Sequence, residues 1–117
     1  MTDPARQRKL LGLLGLGLRG RLVVVGVEQV RMAARRGRLA LAVVAPDASA
    51  HSRKKMLPLL QAKRIDVVDG PPAATLGAAV GRDSAAAVGV VDDDLARGIR
   101  AVMATGSAAP TRRTVRS

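Results

Sequence analysis

The chain has 117 residues, 48% of them hydrophobic and 25% charged, with no cysteine and no Phe, Tyr or Trp. Twenty Lys and Arg against nine Asp and Glu leave a formal charge of +11. The length suits one domain with a real core. The absent cysteines exclude a disulfide scaffold, a thiolate metal site and a cysteine nucleophile, and the absent rings count against a binder that stacks single-stranded bases on aromatic platforms.

Residues 5–18 carry leucines at 10, 11, 13, 14 and 18, roughly one helix face, and predict a first helix. Its basic prelude and apolar run have the outline of a signal peptide. However, Gly12, Gly15 and Gly17 thin the run, Arg19 and Arg21 close it, and no clean cleavage site follows, so a helix is expected instead. The same glycines invite a phosphate-loop reading, but such a loop follows a strand and carries Lys-Ser or Lys-Thr. Here the run precedes a strand, so a small-residue helix packed close to a neighbour is the better account.

Residues 22–25 form a short strand closed by Gly26. Residues 27–36 then form a helix with Val27, Val30, Ala33 and Ala34 inward, stopped by Gly37. A buried strand at 39–44 is broken by Pro46-Asp47. A helix over 51–62 buries Met56, Leu57, Leu59 and Leu60, and Pro58 inside it predicts a kink or a late start. A strand at 65–68 leads into the stiff Gly70-Pro71-Pro72 loop, and Thr75 is expected to cap a small helix reaching Val80, ended by Gly81. The last strand is 86–91, and Asp92, Asp93 and Asp94 open a final helix through Met103. No apolar stretch approaches the ~20 residues of a membrane span.

Helices alternating with strands predict a three-layer α/β/α sandwich with a central mixed sheet of about four strands, over residues 1–104. Residues 105–117, with Arg112, Arg113 and Arg116, are expected to be a disordered basic tail.

Nothing marks a catalytic centre. The single His51 lies near Ser49 and Ser52, but no carboxylate orienter or oxyanion hole accompanies it, and a solvent-facing residue is expected. The Asp92–Asp94 run suits helix capping better than a cation site, since adjacent residues point different ways. No enzyme, metal or cofactor is expected. Positive charge lies in the first seventy residues and the tail, while residues 71–104 hold three bases against four acids. That excess predicts a polyanion partner.

The sharpest feature is the join at residues 19–31, where a strand enters a glycine turn and passes directly into a helix. The free N–H groups of that helix start form a natural phosphate seat, and Glu28 and Gln29 in its first turn can reach base edges. The alternative is that Glu28 merely complements the helix dipole and Gln29 is solvated.

Residues 19–26, the helix end at 33–38, the strand at 39–45, Asp47-Ala48-Ser49, Lys54-Lys55 and Leu76-Gly77-Ala78-Ala79-Val80-Gly81 occur in an order that resembles the ribosomal protein L-seven-Ae family. The likeness to this kink-turn-binding fold, especially its small bacterial ribosome-associated members, spans about residues 8–104. The resemblance implies a fold that docks the glycine turn and following helix into a sharply bent RNA duplex, where sheared G·A pairs expose guanine edges. By position it implicates Gly26, Glu28 and Gln29 at the turn, with Arg21 before the strand. Asp47 to Ser49 and Lys54-Lys55 would lie near the same edge, and the loop from Gly70 to Thr75 would form a second arm. Phosphate neutralisation is expected from Arg21, Arg31, Arg35, Lys54 and Lys55. The implied partner is structured, ribosomal RNA, with ribosome or translation-factor contacts in the cytoplasm, and neither DNA nor membrane.

The chain departs from the usual pattern at three places. Family members carry Asn or Lys where Glu28 stands and Lys where Met32 stands, and the Gly70–Ala74 loop is uncharged. A second reading is therefore a protein-interaction module on the same fold that has lost specific kink-turn recognition.

Overall fold

A computed structural model describes residues 3–105. Helix α1 (Pro4–Arg19) starts where Asp3 accepts a hydrogen bond from the Ala5 N–H at 3.0 Å, with Pro4 in the first turn. There follow β1 (Val23–Val25), α2 (Val27–Arg35), β2 (Leu41–Val44), α3 (Ala50–Ala62), β3 (Asp66–Asp69), α4 (Ala73–Ala79), β4 (Ala87–Val90) and α5 (Asp93–Thr105). The strands form one mixed sheet in the order β1-β4-β2-β3, with β4 antiparallel to both neighbours and β2 parallel to β3.

Alternation along the strands divides the core in two. Leu41, Val43, Val88 and Val90 meet Leu10 and Leu14 of α1, Leu76 of α4, and Ala96 and Ile99 of α5. Ala42, Val44 and Ala87 meet Val30, Ala33 and Ala34 of α2 and Met56 and Leu60 of α3. Each large aliphatic side chain so buried contributes roughly 1.5–3 kcal/mol. Lacking rings to fill space, the molecule brings its layers close with small residues. A Cβ on Gly89 would lie 2.6 Å from Leu39 Cδ1, and one on Gly17 would lie 2.5 Å from Leu95 Cδ2. The close packing expected of α1 therefore holds at Gly17, whereas Gly12 faces nothing within 4 Å.

The three-layer sandwich stands, and so do several local expectations. Gly37 turns the chain at φ +69°, Asp92 accepts from the Leu95 N–H at 2.8 Å, and His51 is exposed in the first turn of α3. Two expectations do not hold. Helix α3 does not start late, because Ser49 caps the Ser52 N–H at 3.0 Å, and the helix runs on past Pro58 to Ala62. Pro58 and Lys54 are both exposed, so water can serve the Lys54 carbonyl that Pro58 leaves unpaired.

Thr75 does not cap α4, which begins two residues earlier behind Pro72. Its start is served from afar, the Ala73 N–H donating to Asp47 Oδ1 at 2.8 Å. The basic tail lies, after Thr105, outside the described residues.

The pairing fixes where a site can form. Strands β1 and β2 both run antiparallel to β4, and β3 parallels β2, so the C-terminal ends of all three lie at the same end of the sheet. The N-termini of α2, α3 and α4 open there, the usual place for ligands on α/β sheets.

Candidate nucleic-acid interface

Gly26 makes the turn from β1 into α2 at φ +100°, a region that L side chains rarely adopt. Its N–H donates to the Ala87 carbonyl at 2.9 Å and its carbonyl accepts from the Val30 N–H at 3.0 Å. No side chain caps α2, so the positive end of its dipole opens onto the turn.

The next two residues part company. Glu28 is drawn towards α3, accepting from Lys55 Nζ at 2.6 Å and from Arg31 Nη1 at 3.0 Å. The Lys55 ammonium is the main cause that holds this carboxyl below the ordinary carboxylate value; desolvation pushes it up, and Arg31 adds a further downward pull. Three residues singled out by sequence thus form one ion-paired cluster tying α2 to α3. Their two positive charges are already half compensated.

Asp47 is likewise engaged, on α4, within a loop that is itself held from behind. The Arg53 guanidinium donates to the carbonyls of Ala45, Pro46 and Ala48 at 3.2, 2.8 and 3.2 Å. The Gly70 N–H donates to the Val44 carbonyl at 2.9 Å, and a Cβ there would lie 2.6 Å from Val43 Cγ1. The β2–α3 and β3–α4 loops are therefore latched together. Lys54 and Arg35 are exposed and enter no ion pair among the described residues.

Gln29 lies on the other flank of α2, facing the β1 edge. It lines a groove of about 140 Å³ with Arg21, Met32, Arg36 and Arg38. Arg21 holds a left-handed backbone, φ +60°, just before β1. Arg36 and Arg38 were not singled out from the sequence, although Gln29, Met32 and Arg36 have the spacing of one helix face. Arg38 arrives by the helix stop: its N–H donates to Ala33 O at 2.9 Å and that of Gly37 to Ala34 O at 3.1 Å, a Schellman turn. The three arginines are exposed and form no ion pair among the described residues.

The fold and this face define an α/β/α protein whose helix α2 starts uncapped at a glycine turn and ends beside three exposed arginines that form no ion pair among the described residues. The chain belongs to the ribosomal protein L7Ae/L30e/S12e/Gadd45 family, whose model matches residues 8–100. Members of that family bind kink-turn RNA, and the family is generally non-enzymatic. Among solved structures, a Bacillus halodurans protein of unknown function is 33% identical, with a TM-score of 0.77 over 82% of this chain and 97% of its own. A Giardia lamblia 15.5kD RNA binding protein shares the fold at 18% identity, with a TM-score of 0.73 over 90% of each chain. No functionally curated protein matches the sequence. No helix among the described residues is long and apolar enough to cross a membrane.

Proposed function

We propose that the protein binds structured RNA through the outer face of α2, with the Gly26 turn as its leading edge. The observation that carries this reading is the groove in which Arg21, Arg36 and Arg38 surround Gln29 with no carboxylate paired to them among the described residues. Three exposed guanidinium groups around the C-terminal half of α2 suit a phosphate backbone, since each offers a planar fork of donors. Gln29 can both donate to and accept from a base edge. Arg35 and Lys54 extend the positive surface on either side. Glu28, Arg31, Lys55 and Asp47 act by holding α2, α3 and the two loops in register. The family's kink-turn RNA makes a bent, ribosomal RNA the natural substrate, met in the cytoplasm on the ribosome or beside translation factors.

The test is a salt titration of the chain carrying Arg112→Ala, Arg113→Ala and Arg116→Ala, which removes the attraction any basic tail has for RNA. Two RNAs are compared, one with a kink-turn and tandem G·A pairs, the other the same helix without the bend. Preference for the kinked RNA that survives moderate salt and is lost with Gln29→Ala supports specific recognition. Equal binding that vanishes with salt reduces the surface to electrostatic attraction. Met32, 40% exposed in the middle of the groove, would then favour the protein-interaction reading.

A further inference from the structure

The opposite layer of the sandwich carries a second surface with different chemistry. Between α1 and α5 runs an open groove of about 530 Å³, floored by Leu13, Leu16 and Val102 and bounded by Lys9 and Arg19. Leu16 is 56% exposed, the most of any large apolar residue described. Gly12 lies in the same groove, in the interior of a 16-residue helix, and a Cβ there would meet nothing within 4 Å. Glycine in an exposed helix interior is destabilising relative to alanine, and here neither packing nor backbone angle calls for it. Its effect is to leave a notch in the apolar floor.

We infer that this groove docks an acidic, amphipathic helical segment of another protein. The notch and the leucines would receive apolar side chains, and Lys9 and Arg19 would pair with carboxylates at the two ends. Ten residues separate the two cations along α1, about 15 Å at 1.5 Å per residue, so the carboxylates would be spaced likewise. The sign of the rim decides the occupant. A second copy laid along α1 in either direction sets Lys9 and Arg19 against Lys9 or Arg19, and two chains of +11 repel one another. The chain's own last residues carry Arg112, Arg113 and Arg116, again of the wrong sign. An apolar floor with a cation only at each end offers a nucleic-acid strand no continuous track. Because α1 and α5 pack on the sheet face opposite α2 and α3, the RNA surface stays open while this one is filled.

The probe is a panel of labelled helical peptides with Leu on one face and Glu pairs about ten residues apart, followed by anisotropy against the full-length protein. Counterparts carry Lys for Glu, or Gln for Leu. Gly12→Leu starts from a Cβ that meets nothing within 4 Å, fills the notch and, by helix propensity, leaves the fold at least as stable. We expect a Leu/Glu peptide to bind, with at least tenfold loss on Gly12→Leu and unchanged RNA affinity. Lys9→Glu with Arg19→Glu should transfer preference to the Lys peptide. The inference is overturned if no Leu/Glu peptide binds, if Gly12→Leu or the Gln-for-Leu change makes no difference, or if Gly12→Leu weakens RNA binding. It is equally overturned if sedimentation shows a dimer of the native chain that Gly12→Leu abolishes.

Discussion

Two clusters lie on opposite flanks of α2, one at its first turn and one along its C-terminal half, and they use the same residue types to opposite ends. Towards α3, Glu28 sits between Arg31 and Lys55, and beyond it Asp47 and Arg53 tie up the loops. Towards the β1 edge, Arg21, Arg36 and Arg38 stand around Gln29 with no acid among them. The first set is held in place by its own charges and hydrogen bonds; the second leaves its charge for something outside the molecule. Formal charge alone does not distinguish them. What does is the location of Glu28, one carboxylate placed where α2 and α3 approach.

The comparison can be broken most directly by reversing charge in the unpaired set. Arg36→Glu with Arg38→Glu should lower RNA affinity by about a hundredfold near 0.1 M salt and reduce the salt slope by about two. Lys55→Gln, in the paired set, should change both far less. If the two variants lose equally, the division between brace and binding face is wrong. Asp47→Ala should lower stability by about 1 kcal/mol, as loss of a helix cap does, read from denaturant midpoints. Its RNA affinity should fall only through loosening of the loop arm.

Arg21 sharpens the same division, because its backbone is at odds with its residue type. A left-handed arginine costs roughly 1 kcal/mol that glycine avoids. Arg21→Gly should therefore leave stability unchanged or raise it by up to about 1 kcal/mol, after the entropy of the added glycine is offset. RNA affinity should nevertheless fall. A variant that is both less stable and unaltered towards RNA would show that the arginine serves the fold.

The sequence made the layers legible because its signals were local. The leucines of α1, the Gly37 stop and the Asp92 cap each act within a turn or two of themselves. The failures share the opposite property. The cap of α4 comes from Asp47, 26 positions away, and no local pattern near Thr75 could reveal it. Arg36 and Arg38 join Arg21 only because the Schellman turn folds the chain back and β1 lies at the sheet edge. Gly26 was readable, since a strand–glycine–helix join needs its positive φ. The pairing of Glu28 with Lys55 depends on how α2 and α3 cross, and adjacency along the chain carries no trace of it.

Glu28 also supplies the finest test, because the two accounts of it predict opposite signs. If its carboxylate accepts from guanine N–H groups, Glu28→Gln should weaken binding to kinked RNA. If it braces α2 against α3, the same change frees Lys55 and Arg31 of their counter-charge, and affinity should rise by about three- to tenfold at low salt. The brace has its own signature in acid. The Glu28 carboxyl lies below its ordinary value of 4.5, with Lys55 the main cause. Its contribution to folding is therefore complete above that ordinary value and is lost as pH falls through the lowered one. A carboxyl NMR titration should place Glu28 below 4.5 in the native chain, and Lys55→Gln should return it towards that value. If Lys55→Gln leaves the titration unmoved, the brace account fails and Glu28 returns to the RNA-facing set.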